Sequence, residues 1–261
     1  MSEEVSVLRR VRWALDDAIL MTWRNLMHYL RVPMLLFYAV IQPIMFTVLF
    51  VFVFGGAIDT RGPYVNYLLP GIIVQTVIFS SLMGAINIAT DMEKGIMDRF
   101  RSLPMATGTV LAGRTLSDTA RNAAAVLVMV LVGYAVGYRF EGTFAGALVA
   151  FALILVVGFA FSWIAAAIGL SVRNPQAAEM AAFTWSFPLV FASSIFVPTD
   201  TMPGWLEAFA EANPISLAAN AVRELSTGVD PGNDLWLTVL WCVGIVALFR
   251  PLAVWRFRRL A

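Results

Sequence analysis

Residues 34–54 read MLLFYAVIQPIMFTVLFVFVF, twenty-one positions without a charged side chain. A bilayer core about 30 Å thick takes about 20 residues of α-helix at 1.5 Å each, so a run of this kind is built to cross a membrane. Five more runs of similar length follow at about 68–90, 120–138, 146–170, 178–197 and 235–255. Composition agrees, with a mean hydropathy of +0.79 and 13% charged residues against about 25% in an ordinary soluble domain. Backbone polar groups in lipid must be satisfied within their own segment. The expected class is therefore an all-α integral membrane protein with six transmembrane helices.

Charge placement sets the expected topology, because cytoplasmic flanks accumulate Lys and Arg. Fifteen of the eighteen basic residues fall before the first run, after the second, after the fourth and at the C-terminal end. Only Arg61, Arg139 and Arg223 lie in the alternate loops. Both termini should be cytoplasmic. Arg250 falls inside the last run, about 8 Å from its cytoplasmic end, where a long side chain snorkels to the headgroups; a functional intramembrane charge is the alternative.

Two amphipathic pieces are too short to span. Residues 1–33 place Leu8, Val11, Leu15, Ile19 and Leu26 at helical spacing, with Arg10, Asp17, Arg24 and Arg31 on another face. This reads as a helix on the cytoplasmic interface, or as a soluble helix packed on the rest of the protein. Residues 203–228 carry two apolar stripes around Asn213-Pro214, an N-cap followed by proline at the first helical position, and Gly228 is a helix stop. A pair of short re-entrant helices on the outer side is expected there. The organisation is thus an interfacial helix at 1–33, one membrane domain at 34–255 and a basic tail at 256–261. It describes a multi-pass cell-membrane protein, in a bacterium one of the plasma membrane.

Several chemistries are excluded or disfavoured. One cysteine, Cys242, and one histidine, His28, cannot build a repeated His/Cys metal site. The only lysine, Lys94, is followed by glycine and belongs to no G-x-x-x-x-G-K-[ST] loop, so the chain has no P-loop. No G-x-S-x-G turn accompanies the serines of the spans. A net charge of +1 offers no nucleic-acid surface. The runs hold neutral polar groups and no acids at mid-helix, unlike a proton relay. Those polar groups either line a path or bond helix to helix, and Gly133 and Gly137 are explained by close packing at least as well as by dimerisation.

Between the second and third runs, residues 91–101 hold six charges in eleven positions. The stretch EKGIMDRFRSLPM, 93–105, resembles the cytoplasmic segment of ABC type-2 exporter permeases, in which Glu-Lys/Arg-Gly, two apolar residues and acid-Arg precede a proline. Glu93, Lys94, Gly95, Asp98, Arg99 and Pro104 match in order. YVNYLLPGI at 64–72 and ANPISLAANAVREL at 212–225 are similar to the family's second-span start and its outer Asn-Pro segment, with Asn213, Pro214 and Arg223 at the matching places. The nearest likeness is to daunorubicin-resistance permeases, a drug or lipid exporter type.

The resemblance implies a transmembrane subunit that is not itself an enzyme. It would work with a second permease chain, identical or related, and with separate ATP-binding subunits that hold ATP and Mg2+; no cofactor is expected on this chain. Residues 92–102 would be the coupling helix, with Met97 and Phe100 as apolar anchors and Arg101 among its charges. A solvated loop enforcing topology would explain Arg99 and Arg101 but not Glu93, Gly95 and Asp98 in that order. An amphipathic drug or lipid-like substrate would then follow a path lined by Gln42, Phe46, Gln75, Phe79, Asn87, Trp185 and Phe187. An ATPase-coupled membrane sensor without net transport is the alternative reading.

Overall fold

A computed structural model of the chain describes residues 33–58, 60, 62–95, 107–172 and 174–259. The described residues form eight α-helices and no strand: α1 (Pro33–Leu49), α2 (Tyr64–Glu93), α3 (Thr107–Val136), α4 (Phe144–Ser171), α5 (Pro175–Phe191), α6 (Gly204–Ala212), α7 (Pro214–Thr227) and α8 (Gly232–Arg259). Four of them, α2, α3, α4 and α8, are long and apolar enough to cross a membrane. α1 runs on through a π-helical turn, Phe50–Phe54, so its apolar stretch reaches the end of the first predicted run. The region expected to hold the interfacial helix lies, but for Pro33, outside the described residues.

α2 is the central post, and α1, α3, α4, α5 and α7 all pack against it. Its residues Leu68, Leu69, Ile72, Val77, Ile78 and Leu82 are fully enclosed. Lipid tails are as apolar as these side chains, so close packing and hydrogen bonds must hold such a bundle together. Glycines permit the approach of α4 to α2. A Cβ at Gly158 would fall 2.4 Å from Val77 Cγ1, and one at Gly169 would fall 2.6 Å from the Ala85 carbonyl oxygen. Beside Gly158, the Ser81 hydroxyl lies 3.0 Å from the Gly158 carbonyl oxygen and accepts from the Asn122 amide at 3.0 Å. One polar junction thus pins α2, α3 and α4 together.

Gly133 sits where a Cβ would meet Leu69 Cδ2 at 2.0 Å, so it serves helix packing. Gly137 lies beyond the end of α3 with φ +107° and turns the chain. The two glycines of that spacing therefore have separate local tasks.

Two predicted runs differ from the helices found. The run placed at 120–138 belongs to a helix that begins at Thr107, because polar positions 114–122 continue the helix as a face toward α2. The run placed at 178–197 stops being helical at Phe191. There Pro188 cannot donate to the Thr184 carbonyl, and the next residues leave the helix as a buried irregular segment. Ser193, Ser194, Ile195 and Phe196 are all within it and enclosed.

That segment is satisfied by side chains, as a buried loop must be. The Asn213 amide donates to the carbonyls of Leu189 at 2.7 Å and Ala192 at 3.0 Å, while its Oδ1 accepts from the Ile215 N–H at 2.9 Å. Asn213 is therefore the N-cap of α7, Pro214 is its first residue, and Gly228 closes it with φ +78°, as the sequence predicts. Arg223 of α7 donates to the carbonyls of Tyr67 and Ser194, each at 3.0 Å, and to Asn220 Oδ1 at 2.6 Å. Its guanidinium carbon lies 3.7 Å from the centre of the Tyr67 ring. One arginine thus clamps α2, α7 and the irregular segment.

Candidate functional site

α1, α2, α3 and α5 surround a cavity of about 810 Å3, within the range of small-molecule sites. Its walls are written as two stripes at four-residue spacing. Gln75, Phe79, Met83 and Asn87 run along α2, and Glu179, Phe183 and Phe187 run along α5. Positions four apart share a helix face. From Gln75 to Asn87 the α2 stripe covers about 18 Å of helix. Gln42 and Phe46, again four apart, face it from α1.

The apolar wall is aromatic. The Phe79 ring centre lies 5.7 Å from that of Phe183, edge-on, and 5.5 Å from that of Phe187. A flat apolar group can lie against such rings in offset or edge contact. Of the seven residues assigned to a path from the sequence, six line this cavity: Gln42, Phe46, Gln75, Phe79, Asn87 and Phe187. Trp185 does not. It stacks on Phe161 of α4, centres 6.2 Å apart, because position 185 points away from the face shared by 183 and 187.

The three amides of the cavity are distinguished by what they do not bond. Ser81, Ser162, Ser186 and Ser193 all donate their hydroxyls to carbonyls three or four residues earlier in the chain, local bonds that short hydroxyl side chains readily make. Gln42, Gln75 and Asn87 make no side-chain hydrogen bond to a described residue. Gln75 is only 5% exposed, and its Oε1 is buried without a partner. An unpaired buried amide oxygen costs about 1–3 kcal/mol, so it marks a place where a ligand donor is wanted.

Charge also reaches the cavity, contrary to the expectation of span interiors free of it. Arg121 lines the wall from α3, about 22 Å along the helix from its end at Val136. Its Nη1 lies 3.2 Å from Asp118 Oδ1, its Nε donates to Ser80 Oγ at 3.1 Å and its Nη2 to the Ser80 carbonyl at 2.6 Å. Pairing at i, i+3 lets both charges be buried as one neutral unit. Reading Arg121 as a loop cation missed this; Asp118 three positions earlier on the same face was the available signal. Glu179, also missed, is exposed at the cavity and pairs with no described residue. Its signal was the four-residue spacing to Phe183 and Phe187.

Closer to the end of α2, Asp91 pairs with Arg114 of α3. Glu93 is the last residue of α2 and is exposed, as is Lys94. The Lys94 N–H reaches the Thr90 carbonyl and the Gly95 N–H the Met92 carbonyl, both at 3.0 Å. Gly95 has φ +66°, a left-handed backbone that glycine adopts without penalty. The Glu-Lys-Gly triplet therefore ends the helix and turns the chain. Met97, Asp98, Arg99, Phe100, Arg101 and Pro104 lie outside the described residues.

Comparison with known proteins places the chain in a family. Residues 17–226 match the model of the ABC-2 type transporter family. The chain is 38% identical over 237 residues to the daunorubicin resistance ABC transporter permease protein DrrB1 of Streptomyces coeruleorubidus, covering 90% of this chain and 84% of that one. It is 25% identical over 241 residues to the probable doxorubicin resistance permease DrrC of Mycobacterium tuberculosis, covering 91% and 87%. A putative transport permease of Cyanophora paradoxa, ycf38, is 26% identical over 210 residues, covering 75% and 69%. With four spanning-length helices, a ligand-sized cavity between α1, α2, α3 and α5 and a family match over most of its length, the chain belongs to the ABC-2 type transporter family of membrane permeases.

Proposed function

We propose that the chain is the transmembrane subunit of an ATP-driven exporter that moves an amphipathic drug-like or lipid-like molecule out of the cytoplasm or inner leaflet. The observation that carries this reading is the cavity, where a phenylalanine wall meets three amides whose hydrogen-bonding capacity is unspent. Relatives named for daunorubicin and doxorubicin resistance support a drug-like cargo. In this reading α1 with its π turn and α5 join the four long helices as six spans, with α6 and α7 a re-entrant pair on the outer side. The positive-inside count puts both termini and the 93–105 stretch in the cytosol. The Asn87 and Glu179 end of the cavity then faces the cytoplasmic side, where substrate enters.

Energy comes from separate ATP-binding subunits that hold ATP and Mg2+. They seat residues 92–102, whose acids and bases fix partner and register, with Met97 and Phe100 as apolar anchors. Because Glu93 ends α2 and Asp91 of the same helix is paired with Arg114, movement of the docked segment is passed to α2 and α3 together. Both helices line the cavity. A second permease chain, identical or related, completes the path against the outward face of α1 and its π turn, where Met45 and Phe52 are exposed.

Vesicle transport tests the proposal. Inside-out vesicles containing the permease and its ATP-binding partner should accumulate an amphiphilic dye on addition of ATP. Normal ATP hydrolysis with no accumulation of any amphiphile would overturn it.

A further inference from the structure

Resting on the export reading, we propose that Glu179 is the charge-selecting residue of the cavity, making it a site for organic cations that carry a flat aromatic body and a hydrogen-bond donor. Three observations combine. The first is the charge balance of the lining. Arg121 is paired with Asp118 at 3.2 Å, whereas Glu179 pairs with no described residue, so among the described residues the lining carries one uncompensated negative charge. A cleft with low-dielectric walls concentrates ions of the opposite sign.

The second is the orphaned acceptor. Gln75 is enclosed, lines the cavity and leaves Oε1 without a donor. A bound N–H or O–H satisfies it, while a ligand bearing only acceptors does not. The third is the order along the walls. Glu179, Phe183 and Phe187 follow one another on α5, so a ligand with its cation at Glu179 lays its rings on Phe79, Phe183 and Phe187. Those ring faces add cation–π attraction for a delocalised charge.

Three near-isosteric dyes separate charge from shape: 9-aminoacridine, a cation at neutral pH with amino donors; acridine, neutral; and acridine-9-carboxylate, an anion. Binding is read by fluorescence in lipid nanodiscs containing the permease, with empty nanodiscs subtracting partition into lipid. The unaltered protein should bind the cation tightest and the anion weakest. Glu179→Gln should cut the preference for 9-aminoacridine over acridine about tenfold, the worth of about 1.4 kcal/mol, with acridine binding unchanged. Glu179→Asp should retain the preference and Glu179→Lys should reverse it. Gln75→Leu should weaken 9-aminoacridine more than acridine.

A preference unaltered in Glu179→Gln, or an equal loss for both dyes, would overturn the inference. Glu179 is exposed, so these variants keep the fold; matching thermal melts confirm it. Vesicle transport separates the two readings. Export of acridine and 9-aminoacridine alike, with or without Glu179, sinks the selectivity while leaving export standing. Selective binding without ATP-driven transport of either dye sinks export and leaves the selectivity.

Discussion

The ion pair in the cavity wall gives a prediction that can be worked through quantitatively. Arg121 and Asp118 are 7% and 5% exposed at their side chains, with 3.2 Å between Nη1 and Oδ1. At an effective dielectric of about 20 their attraction is about 5 kcal/mol, which offsets most of the cost of burying both charges. Asp118→Asn takes the Asp118 counter-charge from a buried guanidinium; Arg121→Met leaves the carboxylate in the same apolar surroundings. Each single change should cost about 3–5 kcal/mol. The double variant, which buries no charge, should lose less than either single and stay close to the unaltered protein.

Unfolding by SDS in mixed micelles, followed by tryptophan fluorescence, gives the four free energies of the cycle. A coupling energy of about 2 kcal/mol or more is expected for groups in direct contact. Single variants within about 0.5 kcal/mol of the unaltered protein, or a double variant as unstable as the sum of the singles, would refute the reasoning. The restored stability of the double variant need not restore transport, since Arg121 also holds Ser80 in place on the wall.

Three further outcomes follow from the same geometry. Gly169→Ala places a methyl 2.6 Å from the Ala85 carbonyl oxygen, which no side-chain rotation relieves, so it should lower the melting temperature by an overpacking cost of about 1–3 kcal/mol despite alanine's better helix propensity. Arg223→Lys keeps the charge but cannot reach the Tyr67 and Ser194 carbonyls and Asn220 together; a loss of about 2–3 kcal/mol, with faster hydrogen exchange across 192–198, is the expected result. Glu93→Ala or Arg99→Ala should insert normally yet weaken binding of the ATP-binding subunit or its substrate-stimulated hydrolysis. Unchanged coupling in both would remove the docking role from 92–102.

Much of the helical layout is readable from residues alone, and the failures have identifiable causes. Apolar length located the helices because each run must satisfy its own backbone inside lipid. Asn213-Pro214 and Gly228 marked α7 because capping is a local property of a few residues. The cavity amides were named but could not be told from Ser162 or Ser186, whose hydroxyls are spent on carbonyls of their own helix, since whether a polar side chain is spent depends on its rotamer and its tertiary neighbours. Hydropathy averaging concealed Asp118 and Arg121, for a charge reads as a loop until its partner at i, i+3 is considered on a helix. Trp185 was misplaced by treating aromatic content as lining; the face set by 179, 183 and 187 excludes it. The irregular segment at 192–198 was hidden because its polar groups are satisfied by Asn213 and Ser216, some twenty residues later in the chain.

The passage of substrate through the α1, α2, α3 and α5 cavity is tested most directly by plugging it. Cys242, the only native cysteine, is buried, so a cysteine placed at Asn87 can be labelled selectively, and one at Leu248, on an exposed face of α8, serves as the control. After reaction with a bulky maleimide, Asn87→Cys should lose ATP-driven dye accumulation while still binding the ATP-binding subunit, and Leu248→Cys should keep transporting. Full transport by the labelled Asn87→Cys protein would contradict the account.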